Sequence, residues 1–202
     1  MPRRFVAWSL LAFATLVALG LWVHGLHRPP LPVIATLPHF ELTERDGSRV
    51  ALADLAGAPW LADFVFTRCR IYCPRLTERM RELRAQLPDP ARVRSVSFTV
   101  DAAFDTPPVL TRYAADHGIA GRDWLWLTDG PDSTRRLVRE GFLLPVVDQP
   151  EIAAMPVLHS NRFALVDSAG RVRFTVEAFD ADALDRLLDA LAALEREERR
   201  GR

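Results

Sequence analysis

The chain of 202 residues contains two cysteines, Cys69 and Cys73, four positions apart. They follow the apolar run Phe64-Val65-Phe66 and directly precede Pro74. In a helix or helix-like turn, residues i and i+4 share a face, with Cβ atoms about 5–6 Å apart. Two thiolates so placed can share one metal ion. With a small backbone change they can instead close a disulfide, which needs Cβ atoms about 3.5–4.5 Å apart. Packing is the competing role, because Cys69, Cys73, Leu76, Met80, Leu83 and Leu87 make one helical stripe. The absence of cysteine elsewhere favours a functional pair, since free cysteine is usually kept for reactivity rather than for packing.

The flanking pattern says what must position this pair. Trp60 to Phe66 is a short apolar run preceded by Gly57 and Pro59, the signature of a buried strand. Pro74 can open a helix, because the first-turn N–H it lacks would be unpaired anyway. That helix runs to about Leu87, before Pro88-Asp89-Pro90. Val93 to Val100 reads as a second buried strand, and Thr106-Pro107-Pro108 opens a helix that ends at Gly118. Trp124 to Leu127 is a third strand, and Asp132 or Ser133 caps a helix reaching Gly141. Before them, Phe40–Thr43 and Arg49–Leu52 alternate around Asp46-Gly47, a hairpin signal. After them, residues 143–158 hold three prolines without periodicity and read as a loop. Phe163–Val166 and Val172–Val176 flank Ser168-Ala169-Gly170 as a second hairpin. A last helix starts at Asp180, with Leu184, Leu187, Leu188, Leu191 and Leu194 at helical spacing. Alternating strands and helices closed by a hairpin make an α/β domain with a mixed central sheet flanked by helices. The cysteines then fall at the C-terminal end of a central strand, where such sheets carry their active sites.

Net charge is zero, so no basic surface argues for nucleic acid. All 26 basic residues other than histidine are arginine. Arg3 and Arg4 precede an uncharged run from Phe5 to Leu26, long enough for a single membrane-spanning helix. The arginines put its N-terminal side in the cytoplasm and the domain outside. A cleaved signal peptide is the competitor, with its best site near Ala18-Leu19-Gly20. No cysteine stands at the end of the run, which excludes a lipid-modified cysteine. The expected organisation is an anchor over 1–27, a stiff proline-rich linker over 28–38, the domain over 39–195 and a solvated charged tail over 196–202.

Three blocks together resemble the SCO/SenC family of membrane-anchored copper-binding proteins with a thioredoxin-like domain. Phe66-Thr67-Arg68-Cys69-Arg70-Ile71-Tyr72-Cys73-Pro74 is similar to the family's F-T-x-C-x-x-x-C-P. Thr99-Val100-Asp101-Ala102-Ala103-Phe104-Asp105-Thr106-Pro107 is similar to its S-V-D-P-x-x-D-T-P, and Leu158-His159-Ser160 to its D-H-S. The resemblance covers about Phe40 to Leu188. Arg68, Arg70, Ala102 and Leu158 depart from the family pattern without removing a ligand.

The resemblance implies copper, as Cu(I) or Cu(II), held by Cys69, Cys73 and His159. Soft thiolates with one imidazole suit it, whereas structural zinc wants four protein ligands. Of the other histidines, His24 and His27 fall at the membrane, His39 precedes the first hairpin, and His117 sits where a helix C-terminus needs a cap. Asp101 is expected either to orient the site or touch a partner, or to cap a turn. Asp105 is expected to cap the helix at Pro107. The implied role is a metallochaperone that delivers copper to the binuclear centre of cytochrome c oxidase subunit II by ligand exchange, without catalytic turnover. A copper donor chaperone would load it. A thiol reductase would keep Cys69 and Cys73 from closing a redox-active disulfide, because only thiolates bind metal. The location implied is the bacterial inner membrane, single-pass, facing the periplasm. The alternative is a thiol-disulfide oxidoreductase that keeps a partner's cysteines reduced; the three residues between Cys69 and Cys73 exceed the usual two of such enzymes.

Overall fold

The computed structural model describes residues 13, 15, 16, 29–90, 92–130, 132–148 and 157–201. The chain divides into two units, Met1–Pro30 and Leu31–Arg202. In the first, residues 13, 15 and 16 are helical; the rest of the expected anchor lies outside the described residues. Among the described residues no helix is long and apolar enough to cross a membrane.

The second unit is built on one eight-stranded sheet. Its strands are β1 (Ala35–Thr36), β2 (Glu41–Glu44), β3 (Arg49–Ala51), β4 (Trp60–Val65), β5 (Arg94–Thr99), β6 (Trp124–Thr128), β9 (Arg162–Val166) and β10 (Arg171–Glu177), in the spatial order β1-β10-β9-β4-β5-β6-β2-β3. Two further strands, β7 (Val146–Asp148) and β8 (Val157–His159), make a separate ribbon. The helices are α1 (Tyr72–Ala85), α2 (Pro107–Asp116), α3 (Ser133–Arg136), which passes into a π turn over Leu137–Gly141, and α4 (Ala183–Arg200).

At the centre, β4, β5 and β6 are parallel, with Trp60 opposite Arg94 and Val65 opposite Thr99. Parallel strands need long crossovers, and α1 and α2 supply them. All six residues of β4 are buried, as expected for a strand covered on both faces. Around it Phe40, Phe64, Phe98, Phe142 and Trp60 pack as an aromatic core. The stripe read from sequence is the buried face of α1, from Cys73 through Leu76, Met80 and Leu83, with Cys69 and Leu87 extending it. The hairpins form where the turn residues sit, with Gly47 and Gly170 at φ 88° and 77°, a conformation glycine adopts without the Cβ penalty.

One expectation is corrected and two are refined. Residues 143–158 are not a plain loop: Val146–Asp148 pairs antiparallel with Val157–His159, so His159 ends a strand. Strands of three residues show no readable alternation, and this pairing is decided by tertiary contacts. The segment read as a stiff linker is docked from Leu31 onward: Arg173, 2 % exposed, donates to the carbonyls of Leu31 and Pro32, and Ala35–Thr36 joins the sheet beside β10. The charged end, read as a solvated helix terminus and tail, is helical to Arg200, and within it Glu197 accepts from Arg173 and from the Leu31 N–H. A buried guanidinium requires such partners, and Asp167 is the fourth.

Candidate metal and thiol site

The end of β4 delivers the chain into a turn, closed by the Cys69 N–H on the Phe66 carbonyl at 3.2 Å, and α1 starts at Tyr72. No side chain of the residue before the helix caps it. The sulfur of Cys69 takes that place. It accepts the Cys73 N–H at 3.3 Å, and the N–H groups of Ile71 and Tyr72 also face it. Helix N-terminal N–H groups favour an anion. Together with the Cys73 S–H, whose hydrogen bond is the largest influence, they hold the Cys69 thiol down to about 5. Cys73 goes the other way: donating to Cys69, and being fully buried, push its thiol well above the ordinary range. The reduced pair is therefore one thiolate and one thiol, joined by no disulfide.

His159 reaches the pair from the ribbon. Its Nδ1 lies 2.9 Å from the Ser160 carbonyl. A carbonyl only accepts, so Nδ1 carries the proton and Nε2 presents a lone pair. That Nε2 stands 3.8 Å from Cys73 Sγ. Burial lowers the imidazole's proton affinity, so the ring is neutral, the form that ligates metals. Phe66 braces the ring edge-on at 5.5 Å between centroids.

The acidic residues behave differently from one another. Asp101, 4 % exposed, receives Arg68 Nε at 2.8 Å and Nη2 at 2.6 Å. It acts on the pair through the residue preceding Cys69. Asp105 does not cap α2: the residue before that helix is Thr106, and no side chain caps it. Its buried carboxylate instead accepts the Thr67 N–H at 3.1 Å, the Thr67 hydroxyl and the Thr99 hydroxyl. It thus ties the cysteine turn to the end of β5. Asp63 was not singled out by sequence reasoning. It is fully buried in β4 opposite Ser97, whose hydroxyl is the side-chain donor that opposes the effect of burial on its carboxyl. Burial pushes its carboxyl up to about 7, and its field raises Cys73 further. A charge inside an apolar strand was the available signal.

The structure thus gathers Cys69, Cys73 and His159, with Asp101 one residue removed. His39 is exposed, and His117 ends α2 with its ring 4.4 Å from that of Tyr113. His24 and His27 lie outside the described residues. Two sulfurs and one neutral nitrogen are a donor set for a soft ion. The 3.8 Å sulfur–nitrogen gap is one that two ligands of a single ion can span, because metal bonds of about 2.3 Å to sulfur and 2.0 Å to nitrogen meet at an angle. Among the described residues no three His, Cys, Asp or Glu side chains already form a complete set.

Comparison with known proteins identifies the relatives of this chain. The family model SCO1/SenC matches residues 31–194. The SCO1 protein homolog of Bacillus subtilis (strain 168) is 32 % identical over 160 residues, covering 79 % of this chain and 82 % of that protein. Among solved structures, BsSco, described through a disulfide switch and as a member of the Sco family of cytochrome c oxidase assembly proteins, superposes with TM-score 0.72 at 28 % identity, covering 82 % of this chain and 98 % of that one. Bradyrhizobium japonicum ScoI with copper bound superposes with TM-score 0.65 at 24 % identity, covering 80 % and 99 %.

Proposed function

The chain belongs to the SCO1/SenC family, and on that premise we propose that it is a metallochaperone whose cargo is copper, held by Cys69, Cys73 and His159 and passed to the binuclear copper centre of cytochrome c oxidase subunit II. The observation that carries this reading is the lone pair of His159 Nε2 facing Cys73 at 3.8 Å. That lone pair is the third soft-ion donor beside the two sulfurs. Cys69 offers a thiolate already formed. Cys73 gives up its proton on loading, because a thiolate, not a thiol, ligates. Asp101 steadies Arg68, and Asp105 steadies Thr67, so both hold the turn that carries Cys69 in register with the end of β5. Donation by ligand exchange suits a site with few ligands and a solvent-facing turn.

A copper donor chaperone loads the site, and a thiol reductase keeps the pair open. The N-terminal segment 1–27 anchors the domain to the bacterial inner membrane on its periplasmic side. BsSco's place among cytochrome c oxidase assembly proteins supports the choice of recipient. A second reading, thiol-disulfide exchange on a partner's cysteines, is favoured by one observation: the division into a Cys69 thiolate and a buried Cys73 thiol. Membranes from cells lacking this chain separate the two. Loss of the binuclear copper signal, restored by the chain but not by His159→Ala, supports the metallochaperone. Restoration by His159→Ala assigns the work to the thiols alone.

A further inference from the structure

The turn carrying the thiols displays side chains that the site chemistry does not use. Ile71 is 58 % exposed, Tyr72 38 % and Phe104 45 %. Arginines accompany these apolar groups on both flanks. On one, the Arg68 guanidinium lies 4.8 Å over the Phe104 ring while pairing with Asp101. On the other, Arg75 lies 5.0 Å over Phe179, whose ring is 6.4 Å from that of Tyr72. Between them, at the tip, Arg70 is exposed and makes no ion pair or hydrogen bond among the described residues. Arg75 likewise has no carboxylate partner among them. The neighbouring carboxylates are committed: Asp101 to Arg68, Asp105 to two threonines, and Asp180, beside Phe179, to Arg186.

Tyrosine and arginine over aromatic rings are the residue types that dominate binding hot spots. Cations left without counter-charges next to exposed apolar groups call for acidic groups from outside. Resting on the copper reading above, we propose that Arg70, Ile71, Tyr72, Arg75 and Phe104 form the docking face for the receiving protein, and that this partner presents carboxylates around its own metal-accepting ligands. Ile71, Tyr72 and Phe104 bury apolar surface against it. Arg70 and Arg75 choose the partner and set the encounter rate, since charges at an interface rim act mainly on association. The face brings the partner directly over Cys69, so recognition and ion transfer share one surface.

The test measures binding of the soluble copper domain of the same organism's cytochrome c oxidase subunit II to the full chain, without copper, at low and high salt. Separate Cu(I) titrations of the chain alone accompany it. Arg70→Glu and Arg75→Glu are each expected to weaken binding about tenfold or more at low salt, and the wild-type affinity is expected to fall as salt rises. Copper affinity and thermal stability of both variants stay at the wild-type level. Equal affinities for wild type and both variants, or no measurable binding by wild type, overturn the proposal. So does retention on anionic lipid vesicles that Arg70→Glu abolishes while subunit II binding is untouched, since the face would then meet a membrane. A chain that binds the domain in this charge-dependent way yet holds no copper keeps the docking face and refutes the cargo.

Discussion

The carboxylate of Asp105 holds the backbone N–H of Thr67 at 3.1 Å, joining two points 38 residues apart in the chain. The same carboxylate takes the hydroxyls of Thr67 and Thr99. Burial raises its proton affinity and these donors oppose the rise. This one side chain therefore fixes where β4 ends and where Cys69 begins.

Asp105→Ala is expected to cost about 2–4 kcal/mol of stability, because it strands buried donors that had a charged acceptor. Urea denaturation of the reduced protein measures it. Asp105→Asn, which keeps an acceptor oxygen, loses less. Equal stability of Asp105→Ala and wild type would show that the turn is held by other contacts.

Thiolate absorbance near 240 nm, followed against pH in the reduced protein, is expected to rise with a midpoint near 5 from Cys69. The step disappears in Cys69→Ser. In Cys73→Ala the midpoint moves up, since the Cys73 S–H is the largest influence holding it down. A midpoint that stays near 5 in Cys73→Ala would credit the helix N–H groups alone.

Asp63 links stability to pH. In the fold it keeps its proton up to about pH 7, whereas its ordinary value is 3.8. Between these values the folded state holds the extra proton, so stability from this group is full below about pH 4, falls as pH rises, and is lost above about 7. Asp63→Asn removes that slope. At pH 8 it is expected to be more stable than wild type by up to about 4 kcal/mol, with little difference at pH 4. Denaturation curves at both pH values check this, and a variant no more stable at pH 8 contradicts it.

The parts of the fold legible in the sequence are those set by local pattern. The six-residue buried run of β4, the stripe of α1 and the glycines at the two hairpin turns each specify their own element. What was not legible depends on distant partners. The ribbon β7–β8 exists because Val146 meets His159, and neither segment announces the other. The docked linker and the tethered helix end follow from one buried arginine, Arg173, which needs Leu31, Pro32, Asp167 and Glu197 around it. At the site, Cys69, Cys73 and His159 were readable by type and motif. The work of Asp105 was not, because a carboxylate two residues before a helix proline reads as a cap until Thr67 and Thr99 are seen beside it. Asp63 was hidden by its apolar neighbours.

The central claim is that Cys69, Cys73 and His159 jointly hold copper. The most direct test titrates the reduced full chain with Cu(I) against a competing chelator, beside His159→Ala. One copper bound tightly per chain, weakened about tenfold or more in the variant while thiol exchange with a small disulfide is unchanged, is the predicted result. Weak copper binding that His159→Ala does not alter would contradict it, and would leave the two thiols acting on other thiols.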